Sequence, residues 1–208
     1  PVRANYPIDG NRIIMTGFSM GGASVWHLAA HHSGLWAAAS PGAGFAETPQ
    51  YLKILGPGKE PPPWWEQVLW RMYNADGYAE NFANCPTIAY SGEEDAQKAS
   101  ADIMEAALAK VGLKLERVIG LKTGHKYSAD AKKQLLQRWE EIAAMGREEV
   151  PAKVRLVTYT LQYPKQEWVE VLEMEKHWER AEVNAELVDE GTIKLETKNV
   201  AALALRME

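Results

Sequence analysis

The chain has 208 residues, 46% of them hydrophobic, enough for one sizeable core and a small second one. A formal charge of −5 gives no electrostatic reason for a nucleic-acid or anionic-membrane partner, and no stretch approaches the length of a membrane span. A single cysteine, Cys85, excludes an internal disulfide.

Tyr6-Pro7-Ile8-Asp9-Gly10 is a turn-rich approach to a first strand, Asn11 to Thr16, mostly apolar as a buried parallel strand is. Gly17-Phe18-Ser19-Met20-Gly21 follows, and residues 21–30 then read as a helix with small residues at its start. The pentapeptide has the G-x-S-x-G spacing of a nucleophile elbow. In that turn the serine sits on a strained strand-to-helix corner with its hydroxyl clear of the sheet. Gly17 and Gly21 are expected to remove side chains that would collide there. The helix start is positive, so the backbone amide of Met20 is the candidate oxyanion donor. The bland alternative is a glycine-rich turn that happens to hold a serine.

Leu35 to Ser40 reads as a second buried strand, closed by Pro41-Gly42-Ala43-Gly44. Residues 45–84 resemble an insertion, rich in proline and aromatics, with Pro61-Pro62-Pro63-Trp64-Trp65 at the centre. Trp65, Leu69, Met72 and Tyr73 repeat behind it at helical spacing. Packing is the ordinary role of such aromatics; Trp64, Trp65 and Tyr73 are the candidates for lining a substrate site. Cys85 to Tyr90 is a third strand, ending in Ser91-Gly92-Glu93-Glu94-Asp95. An amphipathic helix follows, with Ile103, Met104, Ala107, Leu108 and Val111 on one face and Gly112 as its stop. Leu115 to Leu121 is a fourth strand and Thr123-Gly124-His125 a loop. Ser128 is placed to cap a helix through Leu135, Leu136, Trp139 and Ile142, stopped by Gly146. Strands alternating with helices predict an α/β fold with a parallel sheet.

Beyond Pro151 the pattern changes to short β-prone runs: 153–162, 167–175, 181–188, 192–197 and 200–206. Asp189-Glu190-Gly191 is the clearest hairpin turn, and Trp168 to Leu172 is compatible with helix as well as strand. This tail predicts a small antiparallel sheet or partial sandwich.

A serine nucleophile needs a histidine to take its proton and a carboxylate to hold that histidine in the right tautomer. The order Ser19, Asp95, His125 meets the hydrolase order, with Asp95 just past the third strand and His125 in the loop after the fourth. Catalytic groups of open α/β sheets gather at those strand ends. Asp95 also suits a helix N-cap, with Glu93 or Glu94 as the acid instead, and His125 a loop residue without a role. His27, His31 and His32 lie on the serine's own helix and read as surface or packing residues. His27 and His31 have a zinc-like spacing, but no H-E-x-x-H accompanies them, so no metal is expected. His177 lies in the β tail.

Together, Tyr6-Pro7-Ile8-Asp9, Gly17-Phe18-Ser19-Met20-Gly21-Gly22, Tyr90-Ser91-Gly92-Glu93-Glu94-Asp95 and Thr123-Gly124-His125 resemble the α/β-hydrolase superfamily. Within it the chain is similar to prolyl-oligopeptidase-like serine hydrolases over about residues 5–145. The resemblance implies Ser19 as nucleophile, His125 as general base and acid, and Asp95 as the orienting carboxylate. It implies cleavage of an ester or peptide acyl bond through an acyl-enzyme, on a small-molecule or peptide substrate and without a cofactor. Residues 1–148 would be the C-terminal portion of the catalytic domain, with 45–84 cap-like, and 151–208 a β module that follows some such domains. Hydrolases of this kind have several strands before the nucleophile strand, one of whose loops supplies a second oxyanion donor. About ten residues precede Asn11 here. An upstream segment, a separate chain or a second copy is therefore expected to complete the sheet. The rival expectation is a non-catalytic hydrolase remnant serving as a binding or assembly module.

Overall fold

Four apolar runs form one parallel sheet in the computed structural model, which describes residues 2–189 and 191–207. After a short helix, α1 (Val2–Asn5), come β1 (Ile14–Phe18), β2 (Ala38–Gly42), β3 (Ile88–Gly92) and β4 (Glu116–Gly120), neighbours in that order. Parallel neighbours need crossovers. These are α2 (Met20–His32), then the short helices α3 (Thr48–Tyr51) and α4 (Trp64–Leu69) with 3-10 turns, then α5 (Lys98–Lys110). α6 (Ala129–Met145) follows β4.

Local chemistry sets the ends. Ser128 Oγ accepts the Ala131 amide at the start of α6, and Gly112 and Gly146 have φ of +77° and +74° where α5 and α6 stop. The first strand begins later than its apolar run, because Gly10–Arg12 is a 3-10 turn capped by the Asp9 carboxylate. β2 continues through Pro41 and Gly42, which the sequence pattern assigns to a turn. Both residues still pair with β1.

Alternation along the strands feeds two cores. Ala39 and Ala89 face α2, α5 and the 3-10 segment Asp76–Asn84, whose Tyr78, Ala79 and Phe82 are buried there. Ala38, Ile88 and Tyr90 face α6 through Ala131, Leu135 and Ile142. β2 and β3 are buried along their whole length. β1 is only half-buried, its Thr16 is exposed, and among the described residues it pairs with β2 alone.

The tail forms two three-stranded antiparallel sheets. One is β5 (Lys153–Thr158), β8 (Ala181–Asp189) and β9 (Thr192–Lys198); the other is β6 (Lys165–Gln166), β7 (Val169–Glu173) and β10 (Ala202–Leu205). They close on Val154, Leu156, Trp168, Val169, Val171, Val183 and Ala185. Val169 and Val171 alternate inward, so 168–172 is extended rather than helical. Glu190, the middle of the expected hairpin turn, lies outside the described residues; Asp189 and Thr192 on either side are paired.

The contacts that fasten the tail to the parallel sheet include Asn81 and the seat of Tyr163. Buried Asn81 donates to the Ala30 and Val157 carbonyls at 2.7 and 3.0 Å and accepts the Val157 amide at 2.7 Å. The Tyr163 ring lies 3.9, 5.7 and 6.0 Å from the rings of His31, His32 and His27 on α2. His31 is fully buried and donates from Nδ1 to the His27 carbonyl at 2.6 Å, while Nε2 has no partner among the described residues. Burial, with His27 beside it, pushes the His31 pKa down to about 3.

Candidate active site

Ser19 joins β1 to α2 with φ 56° and ψ −117°, a conformation costly for a residue with a Cβ and held by the structure on either side. Its amide donates to the Gly42 carbonyl at 2.8 Å, tying the turn to the end of β2. The glycines beside it have different duties, contrary to the symmetric expectation. A Cβ on Gly17 would stand 2.4 Å from the Gly21 carbonyl oxygen, but one on Gly21 would meet nothing within 4 Å. The collision avoided is that of a Gly17 side chain with the backbone of Gly21. Gly22 is the second tight position, where a Cβ would come 2.3 Å from the Gly42 carbonyl oxygen. α2 therefore seats directly on the end of β2.

The first backbone bond of α2 runs from the Ala23 amide to the Ser19 carbonyl. The Met20 amide precedes it and has no acceptor within the helical ladder. The Met20 side chain points to solvent.

Three loops bring Ser19, His125 and Asp95 into one hydrogen-bonded line. His125 Nε2 is 2.8 Å from Ser19 Oγ, and His125 Nδ1 is 2.8 Å from Asp95 Oδ2. A carboxylate oxygen accepts, so Nδ1 carries the proton and Nε2 is left to accept from the serine hydroxyl. The Asp95 side chain is 4% exposed and that of His125 44%, so the line runs from the interior outward. Asp95 does not cap α5, which begins at Lys98 after Gln97. Its Oδ1 accepts the Gln97 amide at 2.9 Å in a local turn, and its other oxygen is free for His125. Glu93 is turned away to accept the Lys122 amide at 2.8 Å, and Glu94 is exposed. The Asp95 and His125 loops are laced together by the Glu93 amide to Gly120 and the Glu94 amide to Thr123.

The other sequence candidates make contacts of their own. Trp64 and Trp65 are 71% and 57% exposed and meet edge-to-face at 5.9 Å. Tyr73 stacks on His27 at 4.9 Å and on Phe45 at 5.9 Å. No described hydrogen bond or ring contact joins any of the three to Ser19 or His125. His177 packs on Trp178 in the tail. Among the described residues no three His, Cys, Asp or Glu side chains gather as a metal-ligand set. Sequence reasoning missed Phe18, whose ring lies 4.9 Å from the His125 ring, and Tyr127, 4.7 Å from Phe18. Phe18 occupies a free position of the motif, so the spacing carries no signal for it.

In the solved structure of a Mycobacterium tuberculosis puromycin-hydrolyzing peptidase, 22% of that chain aligns with 67% of this one, at 15% identity and a TM-score of 0.55. An acylaminoacyl peptidase in complex with Z-Gly-Gly-Phe-chloromethyl ketone aligns over 24% of its chain and 69% of this one, at 19% identity and a TM-score of 0.53. The chain thus spans less than a quarter of either, and both likenesses are of fold. No curated protein sequence matches it. The profile of the prolyl oligopeptidase family matches residues 2–144, well over half of the chain and the whole of the parallel sheet; the chain belongs to the prolyl oligopeptidase family.

Proposed function

We propose that this chain carries the Ser-His-Asp machinery of a serine hydrolase that cleaves carboxylic esters in preference to peptides. The observation that carries the reading is the unbroken line Ser19–His125–Asp95, at 2.8 Å in both steps and anchored on a buried carboxylate. As Ser19 Oγ bonds to the acyl carbon, its proton passes to His125 Nε2 and the carbonyl electron pair moves to oxygen. The Met20 amide donates to that oxyanion. On collapse the leaving oxygen takes the proton from Nε2, and the acyl group stays on Ser19. Water then attacks the acyl carbon while Nε2 takes its proton. The second collapse returns a proton to Ser19 and releases the acid. Asp95 holds Nδ1–H throughout and neutralises the charge of the imidazolium.

The preference for esters rests on fold analogy, since the superfamily is mostly esterases. The half-exposed edge of β1, with Ile14, Met15 and Phe18 on it, supports a second element of the proposal. A strand from an upstream segment, a separate chain or a second copy completes the sheet and supplies a second oxyanion donor. Such a donor is typically worth about 10²–10³ in kcat.

The test is kcat/KM on p-nitrophenyl acyl esters against prolyl and alanyl anilides, for the 208-residue chain with and without its upstream segment, with light scattering alongside. Esters are expected to be cleaved faster, the chain alone to be weakly active or self-associated, and the longer protein to be sharply more active. A preference for anilides overturns the ranking. A monodisperse, fully active monomer of 208 residues overturns the edge proposal. Failure of a fluorophosphonate to label Ser19 in either form points to a non-catalytic binding module.

A further inference from the structure

We infer that Tyr90, in the middle of β3, is a positioning residue that fixes the loop carrying His125. The inference rests on the roles proposed for Ser19 and His125. Tyr90 is 1% exposed, and on a strand buried throughout it reads as one more core aromatic. Its hydroxyl is not idle. It donates to the Lys126 carbonyl at 2.7 Å and accepts the Ser128 amide at 3.1 Å. Those groups flank Tyr127 in the stretch between His125 and the N-cap of α6. One buried oxygen therefore holds the backbone one and three residues beyond His125.

Space for that oxygen is built in. A Cβ on Gly120, at the end of β4, would stand 2.4 Å from the Tyr90 hydroxyl. The ring is part of the same support. It packs at 4.6 Å on Tyr127, Tyr127 at 4.7 Å on Phe18, and Phe18 at 4.9 Å on the His125 imidazole. The main chain of Tyr90 reaches the opposite wall of the site. Its carbonyl accepts the Ala43 amide at 2.8 Å, next to Gly42, whose carbonyl holds the Ser19 amide. Tyr90 thus touches the supports of both nucleophile and base while contacting neither reacting atom.

Without the hydroxyl, the Lys126 carbonyl and Ser128 amide lose a buried partner, and the His125 loop is free to move by fractions of an ångström. Misplacement by about 1 Å costs up to about 10²-fold in rate. Tyr90→Phe is accordingly expected to lower kcat and the rate of fluorophosphonate labelling by roughly tenfold to hundredfold, with KM within about twofold.

General softening is separated from positioning by a matched control. Tyr78 is also fully buried, and its hydroxyl donates to the Arg71 carbonyl at 2.6 Å in the other core, away from the His125 loop. Tyr78→Phe is expected to lower Tm comparably and to keep kcat. A second readout does not depend on turnover. The His125 Nδ1 proton bonded to Asp95 gives a low-field NMR resonance, assigned by its loss in Asp95→Asn, that should broaden or vanish in Tyr90→Phe and persist in Tyr78→Phe. Wild-type kcat and an unchanged resonance in Tyr90→Phe, or equal losses in Tyr78→Phe, overturn the inference. A protein that turns over no ester defeats the proposed function instead, and the resonance alone then decides the role of Tyr90.

Discussion

Ser19→Ala is expected to reduce ester turnover by about 10⁴-fold or more and to leave the melting temperature almost unchanged. The size follows from the chemistry: among the described residues, Ser19 Oγ is the hydroxyl 2.8 Å from His125 Nε2, at the positive end of α2. The small effect on stability follows from the packing. The turn is held by the Ser19 backbone, through its amide to Gly42 and its carbonyl to Ala23, and alanine keeps both bonds. Alanine also carries the same Cβ penalty at φ 56°, so no strain is added or relieved. Circular dichroism and Tm check the fold, while a p-nitrophenyl ester and a fluorophosphonate check the chemistry. Near-wild-type hydrolysis by this variant would remove Ser19 from the mechanism.

Asp95→Asn is expected to cost about 10⁴ in kcat, because an amide donates where a carboxylate accepts and turns the imidazole to the wrong tautomer. The variant keeps an oxygen for the Gln97 amide, so the local turn survives. Glu94→Gln should change little, since Glu94 faces solvent. Glu93→Gln should also be mild, because its remaining oxygen still accepts the Lys122 amide. Measuring kcat for the three variants decides the assignment. A collapse in Glu93→Gln or Glu94→Gln, with Asp95→Asn active, would transfer the acid to a glutamate.

The parallel sheet was legible in the sequence because each element carried its own local signal. The runs before Ser19 and after Pro86 are apolar and short, and Gly112, Ser128 and Gly146 are stop and cap residues acting on their immediate neighbours. The strands of the tail were legible from alternation. Trp168 to Leu172 is the exception, since its apolar spacing suits two periods until packing against β10 and β6 selects one. The order of Ser19, Asp95 and His125 pointed to residues that the fold brings within hydrogen-bond reach. Contacts made across the chain gave no local sign. Gly21 and Gly17 look equivalent until the turn is built, and Pro41 and Gly42 look like a turn until β1 pairs with them. Tyr90 is indistinguishable from a packing aromatic until its hydroxyl meets residues 36 and 38 positions away.

The seat of Tyr163 on the three histidines of α2 makes the junction with the tail a proton-linked one. His31 has a folded-state pKa of about 3, against an ordinary value of 6.5; its ring lies 3.9 and 4.3 Å from the Tyr163 and Tyr78 rings, and its buried Nε2 has no hydrogen-bond partner among the described residues. Burial lowers His27 and His32 in the same direction. Above the ordinary value both states are neutral at His31 and pH has no leverage. Below it the unfolded chain binds a proton that the folded one refuses, so stability falls with falling pH until the folded-state pKa is reached. For His31 alone the loss near pH 5 is about 2 kcal/mol. The drop in Tm between about pH 8 and pH 5 should therefore shrink in His31→Phe, which keeps the ring stack and cannot take the proton; an equal drop would show that this seat is not where acid acts.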